Sequence, residues 1–226
     1  MKLSNETMSL LKNFALINSN IVIGAGSKLK TINEAKNVMG YADIAETFPV
    51  EFGIYDLGEF LNVYNMFDDP ELEFDEKLQS VVISQGKRLV RYRFSNTEIL
   101  TSVTKEVKMP KADLAFHLSS DDLAAIRKAT SVLGVSDVVI TNNGEDSLLV
   151  TTTDVKDSSS NRFAIEIPCE GLSDTEFNLI FNVSNFKMVQ GDYDIEVSSK
   201  LISKFTNTVA NVNYFIALEK SSTYGE

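Results

Sequence analysis

Two stretches of this chain repeat one another in physical role, and that repeat limits the fold more than any other feature. Ile54-Tyr55-Asp56-Leu57 leads, after two residues, to Phe60; Ile180-Phe181-Asn182-Val183 leads, after two residues, to Phe186. In each, an apolar residue and an aromatic close a strand, an Asp or Asn stands where a helix N-cap belongs, and an apolar residue and a Phe turn toward the core. The surrounding order is also shared: long helix, strands, short helix, strands. Duplication on this scale implies two similar domains. We place them at residues 1–108 and 109–226, each of ordinary domain size.

Periodicity gives the elements. Leu10, Phe14 and Ile17 form one stripe of a helix from Ser4 to Asn18, with Asn5, Ser9 and Lys12 on the opposite side. A second helix starts at Asp56, with Leu57, Phe60, Leu61 and Tyr64 inward. A third starts at Ser119 in a Ser-x-x-Asp cap, buries Leu123, Ile126, Thr130 and Leu133, and stops at Gly134. A fourth, short helix is expected over about 182–189. Strands are expected at 21–23, 41–45, 48–54, 71–75, 87–94, 138–141, 148–152, 163–167, 193–197 and 213–218, with a loop through 200–207. Gly24-Ala25-Gly26 reads as a hairpin turn. The fold class is α+β, with helices packed on antiparallel sheets.

The formal net charge is −11. Taken as a global sum this argues against nucleic acid, but salt limits electrostatic reach to ~8 Å, so a locally basic surface can coexist with an acidic remainder. No apolar run approaches the ~18 residues of a membrane span. Cys169 is the only cysteine and His117 the only histidine, which excludes an intrachain disulfide and leaves no Ser-His-Asp or Cys-based metal signature. Gly24-Ala25-Gly26-Ser27-Lys28 lacks phosphate-loop spacing. Asp43, Glu46, Asp56 and Glu59 make no metal pattern, and the acids from Asp68 to Glu76 lack the calcium-loop order. We expect no cofactor and no catalytic residue.

The segments MKLSNETMSLLKNFALIN, YDLGEFL, NFKMVQGDYDIEV and VNYFIALE resemble the corresponding parts of T-even-type phage DNA sliding clamps. The likeness covers both ends of the chain and most of its second half, and is weakest over 65–116, where the connector holds only Pro110. It implies two processivity-fold domains, each with two helices on antiparallel sheets, and a homotrimeric ring with helices inward. It also implies a non-enzymatic tether of DNA polymerase on double-stranded DNA, set in place by an ATP-dependent clamp loader. The site of action would be the cytoplasm of an infected bacterial host, with late-transcription factors as further partners.

A ring that slides needs phosphate contacts, which are salt-sensitive and carry no sequence information. Arg127 and Lys128 are read as projecting opposite the buried stripe of the third helix; Lys12 holds the comparable place on the first, and Lys187 sits on the fourth. By resemblance these four face the DNA, with Lys2, Lys200 and Lys204 as lesser candidates. An ordinary solvated helix face would carry the same side chains. Val107, Met109 and Pro110 are candidate lining for a groove that takes the apolar tail of a partner peptide. Lys87, Arg91 and Arg93 form a competing basic patch, for which pairing with Glu71, Glu73 and Asp75 is the simpler account. Two other functions stay open on the residues alone: a β-rich viral structural protein with no DNA role, and an enzyme working through carboxylates.

Overall fold

The computed structural model describes residues 1–144, 146–172 and 175–225. The chain divides into two compact units, Met1–Glu106 and Val107–Glu226.

Unit 1 opens with α1 (Asn5–Ile17), capped by the Ser4 hydroxyl, which accepts from the Thr7 N–H at 3.2 Å. Its buried face is Thr7, Met8, Leu10, Leu11, Asn13, Phe14 and Ile17. Four strands follow: β1 (Ile21–Ile23), β2 (Gly26–Ile32), β3 (Val38–Phe48) and β4 (Phe52–Ile54). β1 pairs antiparallel with β4, and β2 with β3. Gly24-Ala25-Gly26 is therefore not the hairpin turn expected above. It carries the chain from one sheet to another, and Gly26 adopts φ +112, which a side chain would resist.

Next, α2 (Leu57–Tyr64) starts at Asp56, whose carboxylate accepts from the Glu59 N–H at 2.9 Å. It buries Leu57, Phe60, Leu61 and Tyr64. A three-stranded sheet closes the unit, in the order β5 (Glu71–Asp75), β6 (Ser80–Gln85), β7 (Arg88–Arg93). Sequence reading passed over β6, the strand in the middle. The half-buried or buried rings of Phe48, Phe52, Phe74 and Phe94 meet at centroid separations of 4.9 to 6.3 Å beneath it, edge-on or tilted.

Unit 2 begins with β8 (Leu114–Leu118) and α3 (Ser120–Leu133). The Ser119 hydroxyl accepts from the Asp122 N–H at 3.1 Å, and Gly134 ends the helix in the left-handed region at φ 67. β9 (Asp137–Gly144), β10 (Ser147–Thr153), β11 (Phe163–Pro168) and β12 (Phe177–Asn182) form one sheet in the order β11-β10-β9-β12. β13 (Tyr193–Ser198), β14 (Ile202–Asn207) and β15 (Val212–Ala217) form another, with β8 beside β13. A short β16 (Thr223–Tyr224) extends the first sheet at β12.

Two expectations fail here. Residues 202–207 are a strand, not a loop: Ser203, Phe205 and Asn207 alternate inward. The fourth helix is absent. Only a single 3-10 turn, Val183–Asn185, stands in its place, so the described residues hold two α-helices in unit 1 and one in unit 2.

Candidate functional site

On α1, Asn5, Ser9, Lys12 and Leu16 are exposed, while the neighbouring Leu11, Asn13 and Phe14 are buried. Lys12 thus stands clear on the solvent face. The start of this helix is fixed from β3. The Glu46 carboxylate accepts from the Ser4 N–H and, at 2.5 Å, from the Thr7 hydroxyl. Burial pushes the Glu46 carboxyl up, but the bonds from Thr7 and Ser4 outweigh it and hold it below its ordinary value.

On α3, Leu123, Ile126 and Thr130 are buried and Leu133 is half-buried. Lys128 is exposed, together with Ala124, Ser131 and Val132. Lys128 is thus opposite the stripe, as Lys12 is on α1. Among the described residues neither lysine makes an ion pair.

Arg127 does not project opposite the stripe. It follows Ile126 by one residue and Leu123 by four, which places it on the flank of the buried face. Its guanidinium reaches inward and donates to the backbone oxygens of Phe186 at 3.0 Å and Met188 at 2.7 Å, and to Gln190 Oε1 at 3.0 Å. Burial lowers its pKa, partly offset by Tyr193 and Tyr214, but an arginine keeps its charge at neutral pH. Gln190 in turn donates from Nε2 to the Ser120 carbonyl at 2.6 Å.

These contacts hold the segment where the fourth helix was expected. Arg127 donates to the Phe186 and Met188 carbonyls, and the Tyr193 hydroxyl donates to that of Val189 at 2.8 Å. The Val189 N–H donates to the Tyr214 hydroxyl at 3.3 Å. Phe186 and Met188 are buried and Lys187 between them is exposed, which is an extended alternation. Lys187 therefore lies on an extended segment rather than a helix. Burial raises the hydroxyl of Tyr193 to about 12 and that of Tyr214 also upward, so both remain protonated.

The lesser cations are partly engaged. Lys2 pairs with Asp69, and Lys204 with Glu196, its cross-strand partner, at 3.6 Å. Lys200 is exposed in the turn between β13 and β14. In the competing patch, Arg91 reaches over β6 to Asp75 at 3.4 Å and to the Ser80 hydroxyl at 3.2 Å. The acidic and basic strands are thus not neighbours; they flank β6.

Val107, Met109 and Pro110 are half-buried in a stretch without regular structure. That stretch is fastened at its far end in unit 2. Asp113 Oδ2 accepts from the Ser199 N–H at 2.7 Å, and the Asp113 carbonyl accepts from the Tyr224 hydroxyl at 2.8 Å. The Ser199 bond holds the Asp113 carboxyl below its ordinary value. In unit 1 a cavity of about 570 Å³ lies against the early connector, lined by Val22, Gly24, Lys28, Lys30, Thr97 and Val103 among others. No helix among the described residues is long and apolar enough to cross a membrane.

The arrangement offers one exposed lysine on the outward face of each long helix and no clustered metal donors among the described residues. Comparison with known proteins adds the rest. A family model described as gp45 sliding clamp, C terminal, matches residues 115–220, and one described as DNA polymerase processivity factor matches residues 4–99. The sliding clamp of Vibrio phage KVP40 is 37% identical over 223 residues, covering 97% of this chain and 99% of that one. That of Enterobacteria phage T4 is 27% identical over 229 residues, covering 99% of each. Among solved structures, the proliferating cell nuclear antigen of Entamoeba histolytica superposes with a TM-score of 0.69 at 13% identity, over 96% of this chain and 97% of that one.

Proposed function

This chain belongs to the sliding clamp family of T4-like phages and is a DNA polymerase processivity factor; on that premise we propose that three copies close into a ring whose inner face is set by α1 and α3. Lys12 and Lys128 then meet the phosphates of the enclosed duplex, with Lys187 on its extended segment as a third contact. The observation that carries this reading is the matched placement of Lys12 and Lys128, each opposite the buried stripe of its helix. Lys12 and Lys128, which make no ion pair among the described residues, suit contacts that must form and release as the ring moves. Arg127 has a different task. It fastens the segment bearing Lys187 to α3, and so positions a contact rather than making one.

Ring closure needs strand edges that can take a partner. β7 and β11 each end their sheets and each runs for six residues. β7 exposes Arg88, Arg91, Arg93 and Leu89, and β11 exposes Glu166. A head-to-tail contact of β7 on one copy with β11 on the next would propagate around a closed ring. Retention on DNA comes from that closure, so the chain needs no catalytic group of its own. The polymerase and an ATP-dependent loader dock at the connector, where Val107, Met109 and Pro110 are half-buried. The ring acts in the cytoplasm of the infected bacterium, and late-transcription factors would use the same docking region.

The test is retention. Loaded by its polymerase's loader and ATP, the protein should remain on nicked circular duplex and run off linear duplex. Its mass in solution, at tens of micromolar, should approach three times the 25.1 kDa chain. Equal loss from circular and linear DNA would overturn the topological reading. A mass that stays at one chain would overturn the self-closing ring.

A further inference from the structure

The two exposed lysines do not stand alone. Leu16 is 64% exposed one turn beyond Lys12, and Val132 is 74% exposed one turn beyond Lys128. The two pairs have the same spacing, and they lie on the same side of their helices relative to the buried stripe. Around them the exposed residues are polar or small with one acid on each helix: Asn5, Glu6 and Ser9 on α1, Asp121, Ala124 and Ser131 on α3. An isolated exposed aliphatic is ordinary. The same residue class stands beside the matched lysine on both helices.

Side chains four residues apart on a helix are neighbours, about 6 Å apart along the axis. A lysine's methylene stem can lie along such an aliphatic while its ammonium reaches outward. The pair then offers two chemistries side by side, a cation and an apolar tip. A nucleic-acid backbone offers the matching alternation: charged phosphates joined by deoxyribose rings with apolar C–H faces. Neither half of this match depends on the base sequence.

We propose that Leu16 and Val132 are duplex-contacting residues that rest on deoxyribose while Lys12 and Lys128 engage the adjacent phosphates. This rests on the reading that α1 and α3 face the DNA. The assignment divides the grip into two parts with different responses to salt. The lysine part weakens as salt rises, because each phosphate neutralised contributes about 0.9 to the slope of log K against log salt. The aliphatic part is nearly indifferent to salt over the same range. It gives the ring a contact that persists as it slides and that binds to no particular step.

Binding to a 30-base-pair duplex, followed by fluorescence anisotropy across a potassium chloride series, separates the two. The double variant Leu16→Ser/Val132→Ser should bind about fivefold more weakly at every salt concentration, from the apolar area lost, with an unchanged slope. Lys12→Gln/Lys128→Gln should flatten the slope. A serine variant that matches the parent at every salt concentration, or that changes the slope, overturns the sugar contact. If instead the lysine variant leaves the slope intact, it is the DNA-facing assignment of α1 and α3 that fails.

A second measurement covers the case of binding too weak for anisotropy. In a Cys169→Ser background, Leu16→Cys or Val132→Cys carrying a benzophenone should crosslink to nicked circular duplex once the ring is loaded. The same label at Ser158→Cys, an exposed position in the loop between β10 and β11, serves as the control. Crosslinking at Leu16 and Val132 but not at Ser158 supports the contact. Absence of crosslinks at both helix positions, on rings shown to be retained on the circle, overturns it.

Discussion

Compare the segment that follows β4 in unit 1 with the one that follows β12 in unit 2. Both begin alike: Ile54-Tyr55-Asp56 against Ile180-Phe181-Asn182. In both, the capping side chain does its work, since Asp56 accepts from the Glu59 N–H at 2.9 Å and Asn182 from the Ser184 N–H at 3.0 Å. Both deliver a Phe to the core; Phe60 is 3% and Phe186 7% exposed. Yet the first continues as the eight-residue α2 and the second stops after three residues. The difference lies beyond the cap. Leu57, Phe60, Leu61 and Tyr64 keep a helical stripe, so continuing the helix keeps burying apolar surface. After Phe186 the next buried residue is Met188, with spacing two, so burial there favours an extended backbone, held by the bonds from Arg127 and Tyr193. A cap can start a helix, but it takes a stripe to extend one.

The comparison can be broken most forcefully at its shared anchor. Phe60→Ala and Phe186→Ala should each cost about 4 kcal/mol, read as the shift in urea midpoint, because both rings are buried whatever backbone carries them. A small loss for Phe186→Ala would mean that the extended segment is not docked as described. Next in size is Arg127→Ala. It leaves the Phe186 and Met188 carbonyls without their donor and should cost about 3 kcal/mol. Arg127→Lys should recover little of it, because an ammonium cannot span the three acceptors as the planar fork does. Full recovery by lysine would show that charge alone matters there.

The caps differ by less. Asp56→Ala should cost about 1 kcal/mol, since a full helix depends on it, whereas Asn182→Ala should cost a few tenths, since only a single turn does. Equal losses would show that the two caps support equal structure. Comparable to the Asp56 cap is an acid-side effect confined to unit 1. The Glu46 carboxyl, held below its usual 4.5 by the Thr7 and Ser4 bonds against the opposing push of burial, stabilises the fold at neutral pH. A group whose folded pKa is depressed gives stability that is complete above its unfolded value and fades as pH falls through the folded one. Glu46→Gln should therefore lower stability at pH 7 by about 1 kcal/mol and close much of the gap below the carboxyl range. A constant difference at all pH values would contradict this.

Much of the molecule is legible in order. The helix start at Ser4, the caps Asp56 and Ser119 and the stop at Gly134 stand where the sequence places them. So do the stripes of the three helices and the alternation of β5 and β7. What escaped has specific causes. β14 points Ser203 and Asn207 inward, so its buried face is partly polar and shows no apolar alternation. Their oxygens are engaged by partners distant in sequence or in the next turn: Ser203 donates to the Ile216 carbonyl at 2.7 Å, and Asn207 Oδ1 accepts from the Val209 and Ala210 N–H groups. Sequence patterning sees burial through hydrophobicity, and these residues are buried through hydrogen bonds. Arg127 is a different kind of miss. Its position four residues after Leu123 already set it beside the buried stripe, and that spacing was available to weigh against its charge.

The sequence by itself determined the duplicated plan, the start of each helix, the family likeness and the outward stance of Lys12 and Lys128. These follow from short-range spacing, which survives without knowledge of neighbours. Only the tertiary structure decided that Arg127 turns inward and that Lys187 rides an extended segment. Those outcomes depend on which backbone carbonyls come within reach of a guanidinium some sixty residues away in the chain, at separations of 59 and 61. A hydrogen bond forms over about 3 Å of space, and no local pattern records who will be there.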